Sequence, residues 1–286
     1  MRIYIVIPAH NEEHFISKTI ESLVAQTVLP KKIMVVNDNS TDTTKDIVTK
    51  YTTTHEFITL IDTNSSMDHM PGSKVINAFV RGYQALDDNF DIICKFDADL
   101  IFPTNYLEKI CDHFYQNNKI GMVGGFCYIE KNDEWILENL TNKDHIRGAL
   151  KAYRKACLND INGLKPAMGW DTIDELLAQY HQWEVKTDTS LHVKHLKPTG
   201  NKYNPKAKYK QGEAFYCMRY GFWITLIASI KLAILKKRPL LIKDYLAGYF
   251  IAKNKKEPFL VSKSEGDFIR KLRWKKITRK FLFFRI

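Results

Sequence analysis

Cysteine is scarce and poorly arranged for structure in this sequence. The five residues, Cys94, Cys111, Cys127, Cys157 and Cys217, are odd in number, widely spaced and without any Cys-x-x-Cys. That argues against a disulfide framework or a zinc site and makes a reducing cytoplasm the expected setting. Gly-x-Gly-x-x-Gly and Gly-Lys-Ser/Thr are both missing, so dinucleotide-binding and P-loop NTPase readings lose ground. No apolar run reaches the ~20 residues that span a bilayer. The run Ile3 to Ile7 is too short for a secretory signal and ends at Pro8. Helix-turn-helix spacing, zinc ligands and RNA-binding signatures are also lacking, so nucleic acid is not an expected partner.

What is present is an ordinary globular composition. The chain has 286 residues, 45% hydrophobic and 26% charged, enough for one large domain or one domain with an appendage. The net charge of +11 is unevenly spread: 9 Lys and Arg face 14 Asp and Glu in residues 1–100, 12 face 13 in 101–200, and 22 face 5 in 201–286. The basic excess therefore lies in the last third, beside apolar helical stretches. An anionic membrane surface is the expected partner of such a segment.

Buried-strand patterns end repeatedly in polar loops. Ile3 to Ile7 stops at Pro8-Ala9-His10-Asn11-Glu12-Glu13, and Phe15, Ile16, Ile20, Leu23 and Val24 follow at helical spacing. Lys32 to Val36 ends in Asn37-Asp38-Asn39-Ser40-Thr41-Asp42, and the next helix is expected to be capped from within Ser40 to Asp42. Phe57 to Ile61 is a third strand, with Pro71-Gly72-Ser73-Lys74 opening a helix through Tyr83. Phe90 to Phe96 runs into Asp97-Ala98-Asp99. Alternation of this kind builds a parallel sheet whose ligands sit outside the carboxyl ends of its strands. Three polar loops, around His10 to Glu12, around Asp38 and at Asp97 to Asp99, fall at that edge. Paired carboxylates at the end of an apolar strand are costly unless their charge is offset. A divalent cation on a diphosphate would offset it, since Mg²⁺ and Mn²⁺ prefer carboxylate and phosphate oxygens. A solvated turn is the plain alternative.

Ile7-Pro8-Ala9-His10-Asn11-Glu12-Glu13, Val36-Asn37-Asp38-Asn39-Ser40-Thr41-Asp42 and Phe96-Asp97-Ala98-Asp99 resemble, in order, the three motifs of the family 2 glycosyltransferases, over roughly residues 1–200. The resemblance implies an α/β, GT-A-like fold: a Rossmann-type, mostly parallel sheet flanked by helices, here with a helical C-terminal appendage. The expected organisation is a catalytic domain over 1–211, with a nucleotide-binding half (1–103) and an acceptor half (104–211), then a basic amphipathic helical region over 212–286. By resemblance, Pro8, Ala9 and Glu12 line the nucleotide pocket and Asp38 binds base or ribose. Lys74 lies near the same groups, Asp97 contacts the ribose side, and Asp99 reaches a Mn²⁺ or Mg²⁺ on the diphosphate. His10 replaces the usual aromatic and Asn37 the first of two aspartates, so only Asp38 carries over from that pair.

Gly169-Trp170-Asp171 resembles the family's Glu-Asp-type motif with Trp170 in place of Glu. That makes Asp171 the expected base, taking the proton of the attacking hydroxyl in an inverting transfer. Asp174 is the fallback, and Asp171 also fits a helix-start pattern favoured by the helix dipole. Trp170 either stacks on a sugar or packs in the core. After a strand over Val185 to Val193, His195 lies where some metal-dependent GT-A enzymes take a further metal ligand from a histidine, so the resemblance implies that role; a structural histidine is the plain alternative, and alternation puts His192 on the opposite side. The glycines of Gly121 to Cys127 either seat a sugar by close backbone approach or mark a bulged strand under a helix.

Tyr220 to Leu235 is strongly apolar, broken by Lys231 and followed by Lys236-Lys237-Arg238, and Arg270 to Lys276 repeats the mixture. This is the composition of helices at a membrane interface, or of an appendage packed on the catalytic domain. The function expected is metal-dependent inverting transfer from a nucleotide sugar, a UDP-sugar, to a glycan or lipid-linked acceptor at the inner face of the cell membrane. A sugar nucleotidyltransferase would want a glycine-rich basic loop, which Pro8 to Glu12 is not. An inactive membrane-bound scaffold would not need Asp97, Asp99 and Asp171 together.

Overall fold

Strand β1 (Ile3–Ala9) is the centre of the parallel part of the sheet, with Ile5, Val6 and Ile7 wholly excluded from water. It pairs in parallel with β2 (Lys32–Asp38) and, on its other side, with β4 (Ile92–Phe96). β2 pairs in parallel with β3 (Ile58–Thr63). The connecting helices α1 (Ile16–Val24), α2 (Thr44–Thr54) and α3 (Ser73–Gln84) follow these strands in turn. Ile16, Ile20 and Leu23 of α1 are buried at the spacing of one helical face, each contributing roughly 1.5–3 kcal/mol by leaving water. The N-cap of α2 is Thr43, one residue past the expected stretch and without a side-chain cap bond; Asp42 Oδ1, just ahead of it, accepts from Thr44 N–H at 3.0 Å. This computed structural model describes residues 1–64, 72–138, 142–197 and 208–283. Pro71, expected to open α3, and Pro198 to Gly200 lie outside the described residues.

After β4 the alternation of strand and helix lapses. The elements are β5 (Leu100–Ile101), α4 (Tyr106–Gln116), β6 (Ile120–Lys131), β7 (Glu134–Leu137), β8 (Leu150–Arg154), α5 (Lys155–Asp160), α6 (Trp170–Tyr180) and β9 (Glu184–His195). The strand order is β3-β2-β1-β4-β8-β6-β9-β5, with β7 beside β6. β8 runs antiparallel to both β4 and β6, while β9 is parallel to β6. Strands β6, β7 and β8 succeed one another without a helix among the described residues, and short returns of that kind give antiparallel neighbours. The sheet is thus parallel in its first half and mixed in its second.

The glycines of β6 serve packing against the protein's own chain rather than an open sugar seat. A Cβ on Gly124 would stand 2.2 Å from the Ile146 side chain, and one on Gly125 would stand 2.3 Å from the Leu191 carbonyl oxygen.

The chain divides into two units, Met1–Pro166 with Trp170–Asn201, and Ala167–Gly169 with Lys202–Ile286. The second carries α7 (Lys210–Cys217), α8 (Gly221–Leu235), α9 (Leu241–Lys255) and α10 (Lys263–Phe283). α7 and α9 pack backbone to backbone: a Cβ on Gly212 would lie 1.8 Å from Tyr245 O, and one on Gly248 would lie 2.1 Å from Tyr209 O. Within this unit α8 buries Ile224, Thr225, Ser229 and Ala233, and the two hydroxyls are satisfied by carbonyls four residues back. Its other side leaves Trp223 and Ile234 65% and 71% exposed, next to exposed Lys236, Lys237 and Arg238. No helix among the described residues is long and apolar enough to cross a membrane.

Candidate active site

The loops after β1 and β2 are laced together by side chains reaching backbone. Asn11 N–H donates to Ser40 Oγ (3.0 Å), Thr41 N–H to Asn11 Oδ1 (2.8 Å), Glu12 N–H to Thr44 Oγ1 (2.8 Å) and Thr43 N–H to Glu13 Oε2 (3.1 Å). Asn11 and Asn39 take left-handed backbone angles, φ 55° and 58°, that asparagine tolerates better than most residues. Pro8 and Ala9 lie opposite Val36 and Asn37, and Asp38 is buried at the end of β2, its carbonyl accepting from His10 Nδ1 at 2.6 Å. Lys74 sits half-buried in the first turn of α3 and makes no ion pair among the described residues.

Asp97 and Asp99 have different surroundings. Asp97 is ion-paired with Lys95, a lysine only 1% exposed. Asp99 is buried, and its Oδ1 has no hydrogen-bond partner among the described residues. The same is true of Glu12 Oε2 in the first loop, whose other oxygen pairs with Lys197 at 2.9 Å. Burial raises the Glu12 carboxyl above the usual range; Lys197 opposes the rise, and Asp99 and Asp97 add to it. Strand β9 runs past Val193 to His195, where antiparallel pairing with β5 sets His195 opposite Leu100. His195 is thereby buried with Nε2 3.5 Å from Asp99 Oδ2, while His192, three residues earlier, is exposed on the face opposite Leu191, Val193 and His195. The unpartnered Asp99 carboxylate beside the His195 imidazole offers donors of the kinds that suit Mn²⁺ or Mg²⁺. Cys127, Glu138 and His195 also hold ligand atoms within 4.8 Å of one another. Burial pushes the Cys127 thiol up to about 11, and sulfur is the poorer match for a hard cation.

Asp171 is the second residue of α6, and its carboxylate is directed at His145, 3.5 Å away, instead of at the helix amides. The other nitrogen of His145 lies 2.9 Å from Glu175. Burial alone would lower the imidazole's pKa, but the hydrogen bonds to Asp171 and Glu175 dominate and raise it to about 9. Burial would likewise raise Asp171; the His145 hydrogen bond and the Lys151, His145 and Lys95 charges outweigh it and hold the carboxyl below its usual range. Asp171 is therefore ionised at neutral pH. Asp174, the fallback, is 2% exposed and bound by Lys151 at 2.8 Å and by the Tyr153 hydroxyl at 2.6 Å. It is a buried counter-ion of Lys151, and that burial speaks against the fallback role of base. Trp170 is 7% exposed, packed against Gly148 and flanked by the Lys95 and Lys151 ammoniums at 5.3 and 5.7 Å, so it is a core residue.

The family model for glycosyl transferase family 2 matches residues 4–162. The chain belongs to glycosyl transferase family 2.

Among curated members, the "Probable glycosyltransferase YdaM" of Bacillus subtilis is 37% identical over 101 residues, covering 34% of this chain and 23% of that protein. The "Poly-beta-1,6-N-acetyl-D-glucosamine synthase" of Staphylococcus epidermidis is 23% identical over 246 residues, 78% of this chain and 57% of the relative. The chain thus spans about a quarter to just over half the length of these two. A mannosyltransferase of Pyrobaculum calidifontis, solved with GDP-Man and Mn²⁺, superposes with a TM-score of 0.57 at 14% identity, over 94% of this chain and 79% of that one. S. aureus TarS 1-349, solved with UDP-GlcNAc, gives 0.57 at 17% identity, over 87% and 73%. These likenesses establish the GT-A fold.

Pro8, Ala9, Glu12, Asp38, Asp97, Asp99, Asp171 and His195 all lie on the first unit; within it Asp99 meets His195, and Glu12 is close enough to Asp99 and Asp97 to feel their charges. The fold leaves Lys74 unattached to the carboxylates. Sequence reasoning missed Glu138, His145, Arg147, Lys151 and Lys197. Glu138 accepts from His195 Nδ1 at 2.8 Å and pairs with Arg147. One cleft is lined by Cys127, Glu138, Lys143, His145 and Arg147, so it touches both the His195 and the Asp171 groups. Glu138 lies 57 residues from His195, and no motif links them. A lone His145 gave at most a weak hint.

Proposed function

We propose that this family 2 glycosyltransferase carries out inverting transfer of a sugar from a nucleotide sugar, a UDP-sugar, to the hydroxyl of a glycan or lipid-linked acceptor. The observation that carries the reading is the pair of buried, unpartnered carboxylate oxygens, Glu12 Oε2 and Asp99 Oδ1, at the edge where the motif loops meet. Buried anionic oxygens without donors are costly unless a cation accompanies them. Asp99 and His195 hold Mn²⁺ or Mg²⁺, whose contribution is to neutralise charge on the departing diphosphate. Pro8, Ala9, Asp38, Asp97 and Lys74 take part in holding the nucleoside.

Asp171 does the proton chemistry. The acceptor oxygen bonds to the anomeric carbon, the bond from that carbon to the diphosphate oxygen breaks, and the hydroxyl proton passes to the Asp171 carboxylate. His145 keeps that carboxylate ionised and aimed. Relatives named for β-linked products, the poly-β-1,6-N-acetyl-D-glucosamine synthase and a poly(ribitol-phosphate) β-glucosyltransferase, support a glycan-type acceptor and, from an α-linked donor, the inverting outcome. Neighbours solved with UDP-GlcNAc and with GDP-Man and Mn²⁺ support the donor class and leave the base to experiment.

The C-terminal helices bind an anionic membrane peripherally at its cytoplasmic face. Exposed Trp223, Ile234, Leu235 and Leu240 beside Lys236, Lys237 and Arg238 support this, as do five buried free cysteines, which suit a reducing compartment.

Thermal-shift measurements with UDP and GDP, each with Mn²⁺ or with EDTA, test the site. Stabilisation of ~2.7 kcal/mol is expected at ligand a hundredfold above its dissociation constant, with metal only. Asp99→Ala should abolish the metal-dependent part. Equal stabilisation in EDTA would sink the metal assignment, and none with either nucleotide would sink the donor assignment.

A further inference from the structure

The geometry points to Glu138 as the residue that positions His195 for the cation, by holding the imidazole in the tautomer whose bare Nε2 faces Asp99. The inference rests on the metal reading of Asp99 and His195 given above and adds a residue to it. Glu138 Oε2 lies 2.8 Å from His195 Nδ1, and both side chains are about 5% exposed or less. A carboxylate can only accept at that contact, so Nδ1 is the nitrogen that donates to Glu138 and Nε2 is the one left to face a cation. On the far side Nε2 faces Asp99, 3.5 Å from its Oδ2, the carboxylate whose other oxygen has no partner among the described residues.

Glu138 is itself held on three sides. Its backbone N–H donates to Cys127 O at 2.9 Å, tying it to β6, and its Oε2 is shared between His195 and the Arg147 guanidinium. An oxygen already committed to a guanidinium and an imidazole N–H is a poor cation ligand. Glu138 therefore acts through His195, raising the basicity of its Nε2 and locking the ring plane. Asp99 is fixed by an independent route, because Leu196 N–H donates to its carbonyl at 2.9 Å and β5 pairs with β9. The two ligands thus come from one strand pairing, and only the ring orientation of His195 is left for Glu138 to decide.

The test is Mn²⁺ titrated alone into the full chain and followed by the electron paramagnetic resonance of the free ion, for wild type, Asp99→Ala, Glu138→Ala and Glu138→Gln. Glu138→Ala is expected to weaken Mn²⁺ binding ten- to hundredfold, the range found for lost outer partners of metal-bound histidines. Glu138→Gln keeps the shape and an acceptor oxygen, so it should fall at the lower end, about tenfold. It carries the test if the alanine variant does not fold. Nitrogen-15 spectra of His195 supply a readout that a purely structural role would not move: an Nδ1–H tautomer in wild type and Glu138→Gln, lost in folded Glu138→Ala. Wild-type Mn²⁺ affinity in the glutamine variant and in whatever alanine variant folds, or a wild-type His195 protonated on Nε2, overturns this proposal and leaves the Asp99 site standing. Wild type that binds Mn²⁺ no better than Asp99→Ala overturns the metal reading and this proposal with it.

Discussion

Lys95 and Lys151 stand directly opposite one another on the antiparallel strands β4 and β8, both fully buried and both flanking the Trp170 indole. Like charges at facing positions destabilise a sheet, and buried charges more so. Here each ammonium has its own anions. Lys95 pairs with Asp97 and with Gly148 O, and Lys151 with Asp174, Glu175 and Asp171 O. The pair thereby couples the Asp-x-Asp motif to the start of α6 through one electrostatic framework. Burial pushes Asp174 up to about 7, with the Lys151 charge working against the rise.

Asp171 and Asp174, three residues apart, should therefore fail in different ways. Asp174→Asn removes a fully buried counter-ion of Lys151 and is expected to destabilise the protein by ~3 kcal/mol in urea denaturation. Asp171→Asn leaves that pair intact and should keep near-normal stability while turnover falls ~10²- to 10⁴-fold with nucleotide binding retained. Retention of more than about a tenth of wild-type turnover, outside that range, would show that Asp171 is not the base.

His145 should make stability depend on pH above neutrality. Its pKa is raised from 6.5 to about 9 in the folded protein by Asp171 and Glu175 on α6, against burial and the Lys151 charge. A group raised on folding contributes stability that is full below its unfolded pKa and is lost as pH rises through the folded one. The contribution, on the order of 3 kcal/mol, should therefore be present near pH 6 and gone near pH 10. Denaturation of wild type and His145→Gln across that range tests it: the gap between the two should close with rising pH. A constant gap would show that His145 does not titrate there.

The C-terminal unit should sediment with anionic vesicles and not with neutral ones, and high salt should release it, since exposed charges are screened over ~8 Å at physiological ionic strength. Charge reversal of Lys236, Lys237 and Arg238 to Glu should weaken the binding at low salt. Trp223→Ala should weaken it at any salt, because that residue contributes apolar area instead of charge. Binding that survives both high salt and carbonate would point to insertion across the bilayer and contradict a peripheral attachment.

Much of this protein was legible in the chain itself. β-branched runs such as Ile3 to Ile7 can only be buried strands, the polar loops after them must lie at one sheet edge, and the ordered set at Pro8 to Glu13, Asn37 to Asp42 and Asp97 to Asp99 carries the family. Those are local facts: strand propensity, turn chemistry and spacing act within a few residues. The alternation rule held only while helices separated the strands, so the antiparallel β8 was not foreseeable, and with it went the Lys95 and Lys151 pairing. Likewise, nothing near Glu138 or His145 in sequence announces a partner 57 residues away in one case and 26 to 30 in the other. Their roles depend on pairing β9 with β5 and packing α6 against β8. Asp174 and Trp170 show the same limit from the other side: a carboxylate and an indole look available for chemistry in sequence, and only burial against two lysines decides that they hold the core together.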